Sequence, residues 1–166
     1  MSAAALESAS VRRVRDALGD AGSDARVVEL ADTARTARDA AAALGVEVGA
    51  IVKSLVFLVG DRPVMALVAG DRQCDAAALP AVLGLAGKTG RADADAVREA
   101  TGFAIGGVAP LGHPSPLPTA IDASLARFAA VYAAAGHPFC VFATTPDELA
   151  RLTGGAVSDK VGRAER

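Results

Sequence analysis

Few side chains in this chain are placed to do chemistry, and Lys53 stands out among them. It lies in Ala50-Ile51-Val52-Lys53-Ser54-Leu55-Val56-Phe57, a β-branched apolar run that reads as a strand. Alternation puts Lys53 on one face with Ile51 and Leu55, where an ammonium is costly to bury without a partner or a task. A lysine so placed is an anion clamp or a titratable group tuned by its surroundings. The other reading is a strand-end lysine whose ammonium snorkels to water. The second candidate is the stretch from Thr101 to Pro114, which holds four of the chain's 17 glycines (Gly102, Gly106, Gly107 and Gly112) together with Phe103, Ile105, Val108 and Leu111. Glycine permits positive φ and close approach to the backbone, so an apolar loop of this kind is either a buried turn or a pocket wall offering backbone N–H groups.

The remaining reactive types are sparse. His113 and His137 are the two imidazoles, both precede proline, and neither has the Ser/Asp or His spacing of a hydrolytic or metal site. Cys74 and Cys140 stand far apart in no ligand spacing, as incidental thiols of a reduced intracellular protein would. Gly87-Lys88-Thr89 imitates the end of a phosphate-binding loop, but Val82 occupies the position where that loop needs its first glycine. Lys88 and Arg91 then make a small basic spot on a solvated turn.

These residues need a scaffold, and the patterning supplies one. Val11, Val14 and Leu18 mark an amphipathic helix, and Arg26–Leu30 a short strand. Asp32 or Thr33 is expected to cap a helix over Arg35–Leu44, closed by Gly45. Ile51–Val59 and Val64–Ala69 read as a hairpin turning at Asp61-Arg62-Pro63. Helices are expected at Asp75–Leu83 and, capped by Asp93, at Ala94–Ala100. Strands follow at Thr119–Ile121, Val131–Ala134 and Phe139–Thr144, with a capped turn or short helix at Asp122–Phe128 and a last helix over Asp147–Thr153 opened by Thr145 or Pro146. Residues 158–166 are charged and expected to fray. Interspersed strands, helices and tight turns predict one α/β (α+β) domain with a curved mixed sheet flanked by helices, not a doubly wound parallel sheet.

Composition bounds the function. The chain has 166 residues, 52% of them apolar but only 4% aromatic, so the core is aliphatic and packed with small residues. Its net charge of −2 does not suit a protein that coats nucleic acid, though gripping one end of a nucleic acid remains open. No uninterrupted apolar run is long enough to span a membrane, and Met1–Ser10 lacks the basic and apolar regions of a signal peptide, so a cytoplasmic location is expected.

Three stretches, in this order and spacing, resemble the YbaK/EbsC family of free-standing trans-editing deacylases, relatives of the prolyl-tRNA synthetase editing domain. They are Thr36-Ala37-Arg38-Asp39 through Leu44-Gly45, Ile51-Val52-Lys53-Ser54-Leu55-Val56-Phe57, and Thr101-Gly102-Phe103 through Gly106-Gly107-Val108-Ala109-Pro110-Leu111-Gly112-His113. Leu117-Pro118 through Ile121-Asp122, and Val131-Tyr132 with Gly136, extend the likeness. It divides the chain into a lead-in helix (1–25), a deacylase-like domain (26–155) and a charged tail (156–166). The resemblance implies hydrolysis of the ester joining a wrong amino acid to the 3′-terminal adenosine of a tRNA, usually that for proline, with no metal or organic cofactor. It implies that Lys53 is needed for activity and engages the tRNA 3′ end, with Ser54 keeping the hydroxyl that usually follows that lysine. It implies that Gly106, Gly107, Val108 and Pro110 line the aminoacyl pocket, where backbone amides hold the substrate carbonyl, and that His113, Ala134 and Gly136 lie on the same substrate side. Its expected partners are the tRNA acceptor end and prolyl-tRNA synthetase. The cysteinyl-tRNA branch carries a serine and an aspartate where this chain has Ala134 and Val141, which points to a different mischarged residue: alanine, serine, threonine or a small non-protein amino acid. A non-catalytic module binding a nucleotide or amino acid on the same fold is the alternative.

Overall fold

The two long apolar runs pair with each other. Ile51–Val59 (β2) and Arg62–Ala69 (β3) form an antiparallel hairpin registered from Val52↔Ala69 to Val59↔Arg62. Gly60-Asp61 makes the turn, with Gly60 at φ +60°. Arg62 and Pro63, expected in the turn, open β3 instead. Pro63 is tolerated because the next strand joins that edge only from Met65 onward, so its missing N–H leaves no ladder bond unmade.

The computed structural model describes residues 5–31 and 34–165. Its other strands are Val27–Glu29 (β1), Arg72–Cys74 (β4), Thr89–Arg91 (β5), Thr119–Asp122 (β6), Val131–His137 (β7), Cys140–Thr144 (β8), Ala156–Ser158 (β9) and Gly162–Ala164 (β10). The main sheet runs β1-β8-β7-β2-β3-β6-β9, with β5 also on β2, while β4 and β10 pair separately. The β2–β7, β3–β6 and β6–β9 pairs are parallel and the rest antiparallel, which makes the sheet mixed as expected.

Helix ends follow local chemistry. Ala9–Asp20 (α1) is capped by the Ser8 hydroxyl, Ala94–Thr101 (α4) by Asp93 and Pro146–Thr153 (α5) by Thr145 with Pro146 in the first turn. Ala37–Leu44 (α2) starts later than its pattern suggests. Thr36 is its cap, and Gly45 ends it in the left-handed region. The capping expected of Asp32 or Thr33 falls outside the described residues. The helix expected over Asp75–Leu83 divides into a 3-10 turn (Ala76–Ala78) and Leu79–Leu83 (α3), preceded by β4. Among the described residues no helix is long and apolar enough to cross a membrane.

Both faces of the sheet are covered. On one, α1 and the glycine loop bury Val11, Val14, Phe103 and Val108 against Val52, Ala133 and Phe142. On the other, Val64, Ala66 and Val68 pack on Leu79 and Val161. Val161 belongs to the tail that was expected to fray. The tail instead adds β9 to β6 and β10 to β4. Three-residue strands held by backbone bonds need no apolar alternation, so the pattern did not reveal them.

Asp122 ties these pieces together. Its carboxylate, only 1% exposed, accepts from Ala69 N–H of β3 at 3.0 Å and from Ser124 N–H at 2.8 Å. β10 passes so close that any side chain at Gly162 would collide with that carboxylate. Truncation would orphan two amides, each costing about 1–3 kcal/mol when unsatisfied. Asp122→Ala should therefore lose about 3 kcal/mol in chemical denaturation, and Asp122→Asn, which keeps one acceptor, about half as much.

Candidate functional site

Lys53 is the third residue of β2, and the sheet register decides what it faces. The pairs Ile51↔Tyr132 and Val52↔Ala133 place Ala134 on the same face as Lys53, Ala134↔Val141 adds β8, and Val28↔Val141 adds β1. An apolar row, Ala134, Val141 and Val28, thus leads away from the lysine across neighbouring strands. Val141 is buried and Val28 is 45% exposed, so the row opens to solvent at its far end. Lys53 is half-buried, and its ammonium donates to the Arg72 carbonyl of β4. Neither reading of the strand foresaw this tether. It occupies one of the three ammonium donors and leaves two for a ligand.

Beside the lysine, the edge of β2 is interrupted. β7 pairs with it only at Ile51 and Val52, and β5 only from Phe57 to Val59. The Gly70 N–H bond to the Ile51 carbonyl sets the alternation, so odd residues of β2 bond to β3 and even residues turn toward the interrupted edge. The N–H and C=O of Ser54 and the N–H of Val56 therefore face a notch between β7 and β5. Among the described residues no turn or loop backbone bonds to them. The Ser54 hydroxyl, also buried there, has no partner among the described residues.

The glycine loop spans this notch. Gly107 N–H bonds to the Ala104 carbonyl at 3.0 Å, closing a turn with Ile105 and Gly106 at its centre. Gly106 has φ +95°, as the third residue of a type II turn requires. Gly107 is buried against the end of β7, where a Cβ would lie 3.0 Å from His137 N. Gly136, at φ +92°, is tight against the Ser10 carbonyl of α1. Loop and strand enclose a cavity of about 240 Å³ lined by Ser54, Val56, Arg91, Val97, Ile105, Gly106 and Val108 among others. The structure thus gathers Ser54, Gly106 and Val108 around one space and uses Gly107 and Gly136 as backing. Lys53 and Ala134 share a sheet face, while Pro110 and His113 line a separate cavity of about 230 Å³. Arg91, read from sequence as part of a solvated turn, lies on β5 at the notch. Three residues with no apolar period give a strand no sequence signal.

His113 bonds to the Ala109 carbonyl at 2.8 Å and stands edge-on to Phe103. Burial pushes both thiols up, to about 11 for Cys74 and about 11 for Cys140, so each is protonated at neutral pH and neither is a ready nucleophile. No cluster of three or more His, Cys, Asp or Glu side chains able to hold a metal occurs among the described residues. The arrangement offers cation, amide and hydroxyl contacts to a bound ligand.

Comparison with known proteins gives this geometry a context. Residues 31–152 match the aminoacyl-tRNA editing domain family. The uncharacterized protein YwhH of Bacillus subtilis (strain 168) is 33% identical over 128 residues, spanning 76% of this chain and 80% of that protein. The crystal structure of a proposed trans-editing enzyme for prolyl tRNA synthetase superposes with a TM-score of 0.88 at 44% identity, covering 95% of this chain and 99% of that one. Hypothetical protein APE2540 superposes with a TM-score of 0.81 at 28% identity, over 91% and 99% of the two chains. These neighbours share the curled mixed sheet and its flanking helices.

Burial holds the His113 imidazole below its ordinary range, the charge of Arg13 adds to this, and the bond to Ala109 opposes it. A base with a depressed folded pKa binds fewer protons folded than unfolded, so stability falls as pH drops through the unfolded value of about 6.5 and stops falling below the folded one. Urea unfolding at pH 7.5 and 5.5 should show wild type losing more stability than His113→Gln over that interval.

Proposed function

The chain belongs to the aminoacyl-tRNA editing domain family, and from that premise we propose that it hydrolyses the ester of a mischarged tRNA. Water adds to the aminoacyl carbonyl, the bond from that carbon to the ribose oxygen breaks, and a free amino acid and a tRNA with its 3′ hydroxyl restored leave. Lys53 supplies the cation for the backbone phosphate at the acceptor end, using the donors not held by Arg72. The Gly106 amide, on the exposed crest of its turn, is the donor for the charge that develops on the carbonyl oxygen. Val108 and Ser54 line the adjoining cavity, Gly107 and Gly136 keep the loop close to β7, and Pro110 and His113 brace the loop from behind.

The observation that carries this reading is the register that places Lys53 at the head of the apolar row Ala134, Val141 and Val28. A polar aminoacyl side chain would leave its hydrogen bonds unmade there, so a small aliphatic group fits best. Proline tRNA is the substrate favoured by likeness to the proposed trans-editing enzyme for prolyl tRNA synthetase. That synthetase is then the natural partner, and the cytoplasm the natural place of work. The absence of acidic or hydroxyl groups at Ala134 and Val141 supports a second reading, a module that binds a nucleotide or amino acid without turnover.

The test is a deacylation panel with proline tRNA charged with Ala, Cys, Ser, Thr or Pro. Ala-tRNA should be hydrolysed fastest and Pro-tRNA spared. Lys53→Ala should fall by about 100-fold or more, the scale of losing one preorganised charged contact, with little change in its unfolding midpoint. Full activity in that variant refutes the role of Lys53, and a folded protein that turns over no acyl-tRNA supports the binding module.

A further inference from the structure

We propose that Arg127 is a positioning residue for Lys53: through its ion pair with Asp71 it fixes the turn whose next carbonyl, that of Arg72, holds the lysine ammonium. Arg127 ends the 3-10 turn Ala123–Arg127 that follows β6, far along the chain from Lys53. Its guanidinium meets Asp71 fork to fork, Nη1 donating to Oδ2 at 2.9 Å and Nη2 to Oδ1 at 2.7 Å. Its Nε donates to the Ser124 carbonyl at 2.7 Å, and its central carbon lies 4.9 Å from the centre of the Phe128 ring. Gly70-Asp71 turns the chain from β3 into β4, and Arg72 opens β4. Among the described residues the Lys53 ammonium donates to the Arg72 carbonyl and to no other protein group.

A pair this exposed, with both side chains more than a third open to solvent, adds little to stability. Its geometry is what sets it apart. Two parallel N–H···O bonds admit one mutual orientation, where a single contact from a lysine would admit many. The pair also sits directly on the 3-10 turn Val48–Ala50 that leads into β2: a Cβ at Gly49 would lie 2.9 Å from both Arg127 Nη2 and Asp71 Oδ2. Beside it, Gly70 N–H donates to the Ile51 carbonyl at 2.7 Å, and a Cβ at Gly70 would collide with the Val48 carbonyl. The strand that carries Lys53 and the turn that carries its acceptor are therefore clamped together, by buried Gly70 on one side and by Asp71 and Arg127 on the solvent side.

A lysine needs such a clamp more than an arginine would. Its ammonium is a point charge on a flexible four-carbon stem, so the place of its acceptor selects its conformation. A displaced carbonyl takes the ammonium with it, and an error of about 1 Å in a positioned group can cost about 100-fold in rate. The Arg127 fork holds the Asp71 carboxyl below its usual range, so the pair stays ionised at neutral pH. The effect on turnover rests on the editing reading of Lys53; the tether of its ammonium does not.

The experiment reads tether and turnover separately. The lysines of the chain are Lys53, Lys88 and Lys160, so the carbon–proton NMR signals of the lysine Cε groups are few, and Lys53→Ala identifies the one at issue. In Arg127→Ala that signal should move toward those of Lys88 and Lys160, which are exposed. In the deacylation assay the same substitution should lower kcat/KM about tenfold, less than removal of the cation itself, with little change in the unfolding midpoint. In a Lys53→Ala background it should lower the remaining rate by no more than about twofold, because a residue that acts through Lys53 then has nothing to orient. Asp71→Asn, which keeps the shape and loses the charge, should reproduce both changes at smaller size. An unmoved Lys53 signal, or an equal loss of rate with and without Lys53, overturns the positioning role. If wild type hydrolyses no acyl-tRNA, the editing reading falls and the NMR signal still decides whether Arg127 places the ammonium.

Discussion

Everything in this fold is arranged around one strand that has too many neighbours for one of its edges. β2 gives its whole length to β3 on one side. On the other it is divided, with β7 at its start, β5 at its end and a stretch between them that neither reaches. Buried backbone amides without partners are rare because each costs free energy comparable to a lost hydrogen bond. An interrupted edge in the middle of a sheet, covered by a glycine turn rather than a strand, is therefore a place where a ligand's hydrogen bonds are worth most. The two halves of the candidate site follow from this division, with Lys53 on one face and the Ser54 side chain on the other.

The loop that covers the notch is anchored from behind. Arg13 of α1 donates to the Gly102 carbonyl at 2.7 Å and lies 4.4 Å from the centre of the Phe103 ring. It thus meets the carbonyl end of α4 with a positive charge and fixes where the loop begins. Gly107 and Gly136 then let loop, β7 and α1 approach one another more closely than any side chain would allow. This backing sets the crest of the turn, Ile105 and Gly106, at the cavity rim.

The chain's end is also tied to the site. Lys53 rests on the carbonyl of Arg72, Arg72 lies in β4, and β4 is paired by β10. Asp122 and the glycine at position 162 hold that small sheet against β3 and β6. The orientation of the Lys53 ammonium thus depends on β10, more than a hundred positions further along.

Local signals were enough for much of this protein. The β-branched runs of β2 and β3, the caps at Asp93 and Thr145, and the glycines ending α2 and α4 are each written in a few adjacent residues, because propensity and capping act over one turn or one pleat. The suspicion that fell on Lys53 and on the glycine stretch was equally local, an ammonium among apolar neighbours and glycines among hydrophobes. Other features had no local signature. β5, β9 and β10 are three residues each and held by backbone bonds that any side chain permits, so neither the strands nor Arg91 at the notch were legible. Which face Lys53 looks onto, its tether to Arg72 and the gap that leaves Ser54 open are consequences of strand register. Register is a relation between segments far apart in the chain, and only packing the whole sheet decides it.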